Sequence, residues 1–106
     1  MKHLGLKNEY HDARLERVRF EDRRVVFEAS LDGHWNNRCE EHACLGFELV
    51  HNLDEIRTAF NAPAGESCVD VDDEIIGVAK LTKTRYCVDL QTAGSIEIDC
   101  RGISEF

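Results

Sequence analysis

The sequence is poor in several things that would otherwise direct its reading. Proline occurs once in 106 residues, so neither a polyproline segment nor a proline-rich disordered linker is expected. No apolar run approaches the length that crosses a bilayer, and Met1 to Tyr10 alternates polar with apolar residues instead of forming a secretory leader. We therefore expect a protein that is neither exported by that route nor inserted. Nor is there a Gly-x-Ser-x-Gly elbow, a glycine-rich phosphate loop, a C-x-x-C pair, a repeat of solenoid spacing or a low-complexity tract. The absences leave no standard signature of catalysis, so the chain reads as a protein without enzymatic activity and without a cofactor.

What is present is a globular composition, 42% hydrophobic and 32% charged, at a length that supports a single core and hence a single domain over residues 1–106. The five cysteines, Cys39, Cys44, Cys68, Cys87 and Cys100, are an odd number without regular spacing. That suits reduced thiols and a cytoplasmic protein better than a disulfide scaffold. Charge is divided unequally along the chain. Up to Arg38 there are eight Lys or Arg against seven Asp or Glu, and from Cys39 onward five against fourteen, giving +1 and −9 and a net −8. Such acidity repels phosphate backbones, so no nucleic-acid partner is expected, and it attracts basic proteins. Solubility alone is the plainer account of it.

Alternation identifies the strands. Ala13 to Phe20 and Arg24 to Leu31 read as a hairpin about Glu21, Asp22 and Arg23, with Val25, Phe27, Ala29 and Leu31 on one face. Asp32 to Arg38 has loop chemistry, with Trp35 at its centre as either a core lid or an exposed anchor. His42 to Val50 is a third strand with Ala43, Leu45, Phe47 and Leu49 inward, and Gly46 suggests a bulge or a close approach. Asn52 to Phe60 changes to helical spacing, with Asn52 as the N-cap candidate. Val69 to Val71 suggests a brief edge strand, and Asp73 to Thr82 is a strand interrupted at Gly77 or a short helix, with the β-branched residues favouring the strand. A second hairpin pairs Tyr86, Val88 and Leu90 with Ile96, Ile98 and Cys100, and Gly102 suggests a bulge before Ile103. Together these predict a mainly β fold, an antiparallel sandwich or partly open barrel of about six to seven strands with at most one short helix.

Three constellations carry candidate chemistry. Cys39, His42 and Cys44, near His34, offer thiolates and an imidazole of the kind zinc prefers, though the spacing matches no standard pattern, so no metal site is assigned. Asp70, Asp72, Asp73 and Glu74 gather four carboxylates in five residues without the order of a calcium loop. They read as a solvated acidic rim or, with Trp35, as the contact face for a basic protein partner. His11 with Asp12 and Glu9 has the makings of an acid–base pair but equally of a turn that starts a strand.

The His11-Asp12-Ala13 start before a strand, the hairpin after it, and the closing segments Tyr86-Cys87-Val88-Asp89-Leu90 and Ile96-Glu97-Ile98-Asp99-Cys100 resemble a loose group of small bacterial β domains. Some members look like immunity proteins of toxin and immunity pairs. That resemblance implies a binding module that occludes the active site of a cationic toxin, and it transfers no functional residue. The competing expectation is a structural or regulatory β domain that forms a homodimer through a sheet edge or face. Membrane binding is not expected.

Overall fold

The computed structural model describes residues 6, 8–31 and 42–106. Trp35 and Cys39, and the Asp32 to Arg38 loop around them, lie outside the described residues. The first two apolar runs form the expected hairpin, β1 (Arg14–Glu21) and β2 (Arg24–Ser30). Glu21 pairs with Arg24, so the turn is the two residues Asp22 and Arg23, with Asp22 at φ +58. A tight hairpin turn of this length needs positive φ, which Asp tolerates better than most side chains. Glu16 is the extra residue of a bulge in β1, between Leu15 and Arg17. The bulge lets Leu15, Val18 and Phe20 all face inward despite the three-residue step from Leu15 to Val18.

The remaining elements are β3 (His42–Glu48), α1 (Leu53–Ala59), β4 (Cys68–Lys80), β5 (Arg85–Leu90), β6 (Gly94–Asp99) and β7 (Gly102–Glu105). All seven strands belong to one antiparallel sheet in the order β6-β5-β4-β1-β2-β3-β7, curled into a half-barrel. The partly open barrel is thus realised, and the sandwich is not. Leu15, Val18, Val25, Phe27, Leu45, Phe47, Ile75, Val88 and Ile98 are fully buried on the concave side, where Ile56 and Phe60 from the helical segment join them.

Several local expectations change. Val69 to Val71 is no edge strand but part of the long β4, whose first half pairs with β1 and whose second half pairs with β5. Asp73 to Lys80 is strand, as the β-branched residues favour, and the interruption near Gly77 is a bulge at Ile76 that leaves Ile76 43% exposed. Leu49 does not continue the inward face of β3. It turns at φ +53, is 46% exposed, and Val50 takes the buried place. Gly46 sits in unbroken register with Val26, so there is no bulge. Its close approach is real, since a Cβ there would lie 2.8 Å from Ser104 Oγ and 3.0 Å from both the Arg24 guanidinium and the Phe106 ring.

Gly102 marks a larger event than the expected bulge. Strand β6 ends at Asp99, and after Cys100 and Arg101 the chain resumes as β7 on the opposite edge of the sheet, beside β3. A two-residue link can join the two edges only because the curl has brought them together. The link is anchored on both sides, with Cys100 N–H donating to Thr84 C=O and Arg101 N–H to Glu48 C=O, each at 2.8 Å.

The four described cysteines are free. Burial pushes the Cys100 thiol up to about 11 and raises Cys87 and Cys44 as well, whereas Cys68 is exposed at the start of β4. Thiolate availability and access govern alkylation. Brief iodoacetamide treatment of the native protein, read by peptide mass spectrometry, is therefore expected to label Cys68 first among these four and Cys100 only after unfolding. Early labelling of Cys100 would contradict the packing described.

Candidate partner interface

The acidic tract of β4 is taken apart by the fold. Val69, Val71, Asp73 and Ile75 share the inward parity of the strand, and Asp70 and Asp72 point outward. There they meet arginines of β1: Arg17 Nε lies 3.0 Å from Asp70 Oδ1, and Arg14 pairs with Asp72. The pattern continues across the convex face, where Arg17 and Arg19 pair with Glu28, Arg19 and Arg24 with Glu21, and Arg24 with Glu48. The partners of Arg14 and Arg17 on β4, and of Arg24 on β3, are remote in sequence but adjacent in the sheet. Charge that looks segregated along the chain is therefore largely compensated in space over β1–β4. Exposed pairs of this kind stabilise little, but they cancel the field that would draw a cationic partner to Asp70 and Asp72.

Asp73 has a different role. It is 6% exposed, and its carboxylate accepts the backbone N–H groups of Glu74 (2.8 Å), Thr92 (2.9 Å) and Ala93 (2.9 Å). Burial alone would raise its pKa, but the amides of Thr92, Ala93 and Glu74 outweigh burial and hold it below the ordinary carboxylate value. Asp73 is thus the clamp of the β5–β6 turn and offers no free carboxylate to a partner. Its position between Val71 and Ile75 in the alternation was the signal for this.

Glu74 leans on Asp12. A side-chain hydrogen bond with Asp12, then burial and the Asp12 charge, raise the Glu74 pKa. His11 Nδ1 lies 2.7 Å from Ile76 C=O and Nε2 lies 3.5 Å from Asp12 Oδ1. The bond to Ile76, with the charges of Asp12, Glu9 and Glu74 and against burial, raises the His11 pKa. Residues 11 and 12 form a turn, with Asp12 at φ +67, immediately before β1. The strand-starting reading of His11 and Asp12 is the one the backbone follows.

His42 and Cys44 occupy the same face of β3, as sharing a metal would require. His42 is turned instead toward Glu16 (3.9 Å) and Ser30 Oγ (3.4 Å), and Cys44 is half-buried. Among the described residues no group of three or more His, Cys, Asp or Glu side chains is arranged to hold a metal ion.

Uncompensated acidity lies elsewhere. Cross-strand pairs Arg85–Asp99, Cys87–Glu97 and Asp89–Ser95 put Asp89, Glu97 and Asp99 on one face of β5 and β6. Arg85 is the cation set among them, 2.7 Å from Glu97 and 3.6 Å from Asp99, and Glu55 of α1 acts on it from the side. Three carboxylates, Glu97, Asp99 and Glu55, thus act on one guanidinium, while Asp89 further along β5 accepts from Ser95 Oγ and Cys87 Sγ. Between α1 and β6 runs an open groove of about 290 Å³ lined by Glu55, Ala59, Arg85, Ser95, Ile96 and Glu97.

The groove flanks the outer edge of β6, and Asn52 explains why that edge is only half covered. Asn52 stands at the N-cap position of α1, yet its side chain does not cap the helix. Its Nδ2 donates to Glu97 C=O at 2.8 Å and its Oδ1 accepts Asp99 N–H at 2.9 Å, while His51 N–H donates to Asp99 C=O at 2.7 Å. One amide side chain thereby imitates a neighbouring strand. Sequence reasoning placed Asn52 correctly but missed this partner, because a cap residue and an edge mimic look alike without the strand beside them.

No protein-family model, no curated protein and no solved structure matches the chain. No helix among the described residues is long and apolar enough to cross a membrane.

Proposed function

We propose that this chain is a non-catalytic, cytoplasmic protein-binding module that meets a cationic protein through the face of α1, β5 and β6. Occlusion of a basic toxin, as immunity proteins do, is the form of that role which suits the charge. The observation that carries the reading is the unbalanced cluster of Glu55, Glu97 and Asp99 around Arg85, with Asp89 on the same face, beside a convex surface whose charges are matched. Clustered carboxylates steer a basic partner during encounter, and steering acts mainly on the association rate.

The test begins with crosslinking and pull-down from the native host to obtain the partner, followed by stopped-flow association at low and physiological salt. Neutralising Glu55, Glu97 and Asp99 together, as Gln, Gln and Asn, is expected to slow association about tenfold at low salt and to flatten its salt dependence. Neutralising Asp70 and Asp72 to Asn is expected to change the rate by less than about twofold, because Arg17 and Arg14 already mask them. A larger loss from the β4 pair than from the β6 face would reverse the assignment. Equal rates for all three proteins, or a partner that is a second copy of this chain, would end it.

A further inference from the structure

We infer that the open half of β6 takes up an extended, basic segment of the partner as an added strand. This rests on the proposed function and goes beyond it, from a charged face to a mode of recognition. The parity of β6 follows from its bonds: Asp99 N–H and Glu97 C=O both reach Asn52, away from β5. In an antiparallel ladder alternate residues direct both backbone groups to the same side. Ser95, Glu97 and Asp99 therefore all face outward, each with one N–H and one C=O. Asn52 and His51 occupy Glu97 C=O and both groups of Asp99. Ser95 N–H, Ser95 C=O and Glu97 N–H are left without a partner among the described residues, in the groove between β6 and α1.

An unpaired edge is a template for another strand. The groove supplies what a docked strand needs on either side: Ile96 and Ala59 as apolar lining, and Glu55 and Glu97 as carboxylates for alternating Lys or Arg side chains. The same charges select among occupants. A second copy pairing antiparallel through the open half of β6, centred on Glu97, would set Glu97 directly against its own equivalent, and like charges directly opposite are destabilising. A basic segment meets no such penalty. Asn52 fixes the length of the docking site by closing the edge from Glu97 C=O onward, so the added strand is short and the flanking charges set much of its affinity.

The test uses the full chain and two ten-residue probe peptides, one alternating Lys with Thr and one alternating Glu with Thr, followed by fluorescence anisotropy and amide chemical shifts. The Lys–Thr peptide is expected to bind and to shift the Ser95 and Glu97 amides most, and the Glu–Thr peptide to leave them unmoved. Two variants then separate charge from edge. Glu97→Gln removes a carboxylate and keeps the N–H; Glu97→Pro removes both, at an outward edge position where proline is tolerated. Gln is expected to weaken binding about threefold and Pro about tenfold beyond that, as loss of a backbone hydrogen bond and of strand geometry implies. Equal weakening by Gln and Pro would overturn the added strand while leaving the cationic partner intact. Equal binding of both peptides, or no binding of the Lys–Thr peptide at millimolar concentration, would overturn both. Should Glu97→Pro fail to fold by circular dichroism, the wild-type amide shifts decide: largest changes away from Ser95 and Glu97 count against the inference.

Discussion

Replacing Phe27 by Ala is expected to destabilise the protein by about 3–5 kcal/mol, the largest effect of any single truncation proposed for this chain. The ring is fully buried at the centre of β2. It meets Phe47 edge-on at a centroid distance of 5.3 Å and Phe60 at 5.7 Å, with interplanar angles of 69° and 83°. Its loss therefore removes a large apolar side chain and two oriented aromatic contacts at once. Phe47 belongs to β3 and Phe60 follows α1, so the cavity would open between the sheet and the helical segment, where no neighbour can collapse without moving a backbone. Phe27→Leu retains most of the volume and is expected to cost about 1–2 kcal/mol. Urea titration with an unchanged slope reads both values. A Phe27→Ala midpoint within about 1 kcal/mol of wild type would show that the rings do not organise the core.

The second large effect is expected at Asp73. Removing its carboxylate in Asp73→Ala leaves the Thr92 and Ala93 amides of the β5–β6 turn without their acceptor and is expected to cost about 2–3 kcal/mol at neutral pH. The sign of the pH dependence follows from the direction of the shift. The folded-state pKa of Asp73 lies below its ordinary value, so its contribution is fully present above that ordinary value and is lost as pH falls through the folded one. Wild type and Asp73→Ala should then converge in stability on acidification, whereas at neutral pH they differ most. Glu74 acts in the opposite sense: its pKa is raised beside Asp12, so protonation favours its folded environment, and that advantage disappears as pH rises through the raised value. Asp73→Asn, which keeps one acceptor oxygen, is expected to fall between wild type and Ala. Parallel stability curves for wild type and Asp73→Ala between neutral pH and pH 3 would refute the clamp.

How far the sequence discloses this molecule depends on the range of the interaction. Face periodicity is local, and it located β1, β2, β5, the helix and the start of β6 to within a residue or two. It also identified Tyr86, Val88, Leu90, Ile96, Ile98 and Cys100 as one apolar layer, all of them buried. Periodicity does not say which strands are neighbours, so the short run Val69 to Val71 looked peripheral although β4 joins the two halves of the sheet. Val26 shows a related limit. It occupies the solvent parity of β2, yet it is fully buried, in register with Arg19 on one side and Gly46 on the other. The acidic site was the least legible element. Counting carboxylates along β4 drew attention to Asp70 and Asp72, whereas the compensation by Arg17 and Arg14 arises from strand pairing between residues 53 and 58 positions apart. The groove beside β6 depends on Glu55 and Glu97, which no window of the sequence places together.

The passage from β6 to β7 through Cys100 and Arg101 also bears on how the fold opens. In most open sheets the two edges belong to segments that can detach separately. Here they are consecutive, so a fluctuation that frees the link releases Cys100 N–H from Thr84 and Arg101 N–H from Glu48 together. The segment from Gly94 to Glu105 would then open as one unit, while β1, β2 and β4 at the centre of the sheet stay paired. Detachment of that unit bares β3 and β5 in a single event, turning two protected strands into new edges at the same moment.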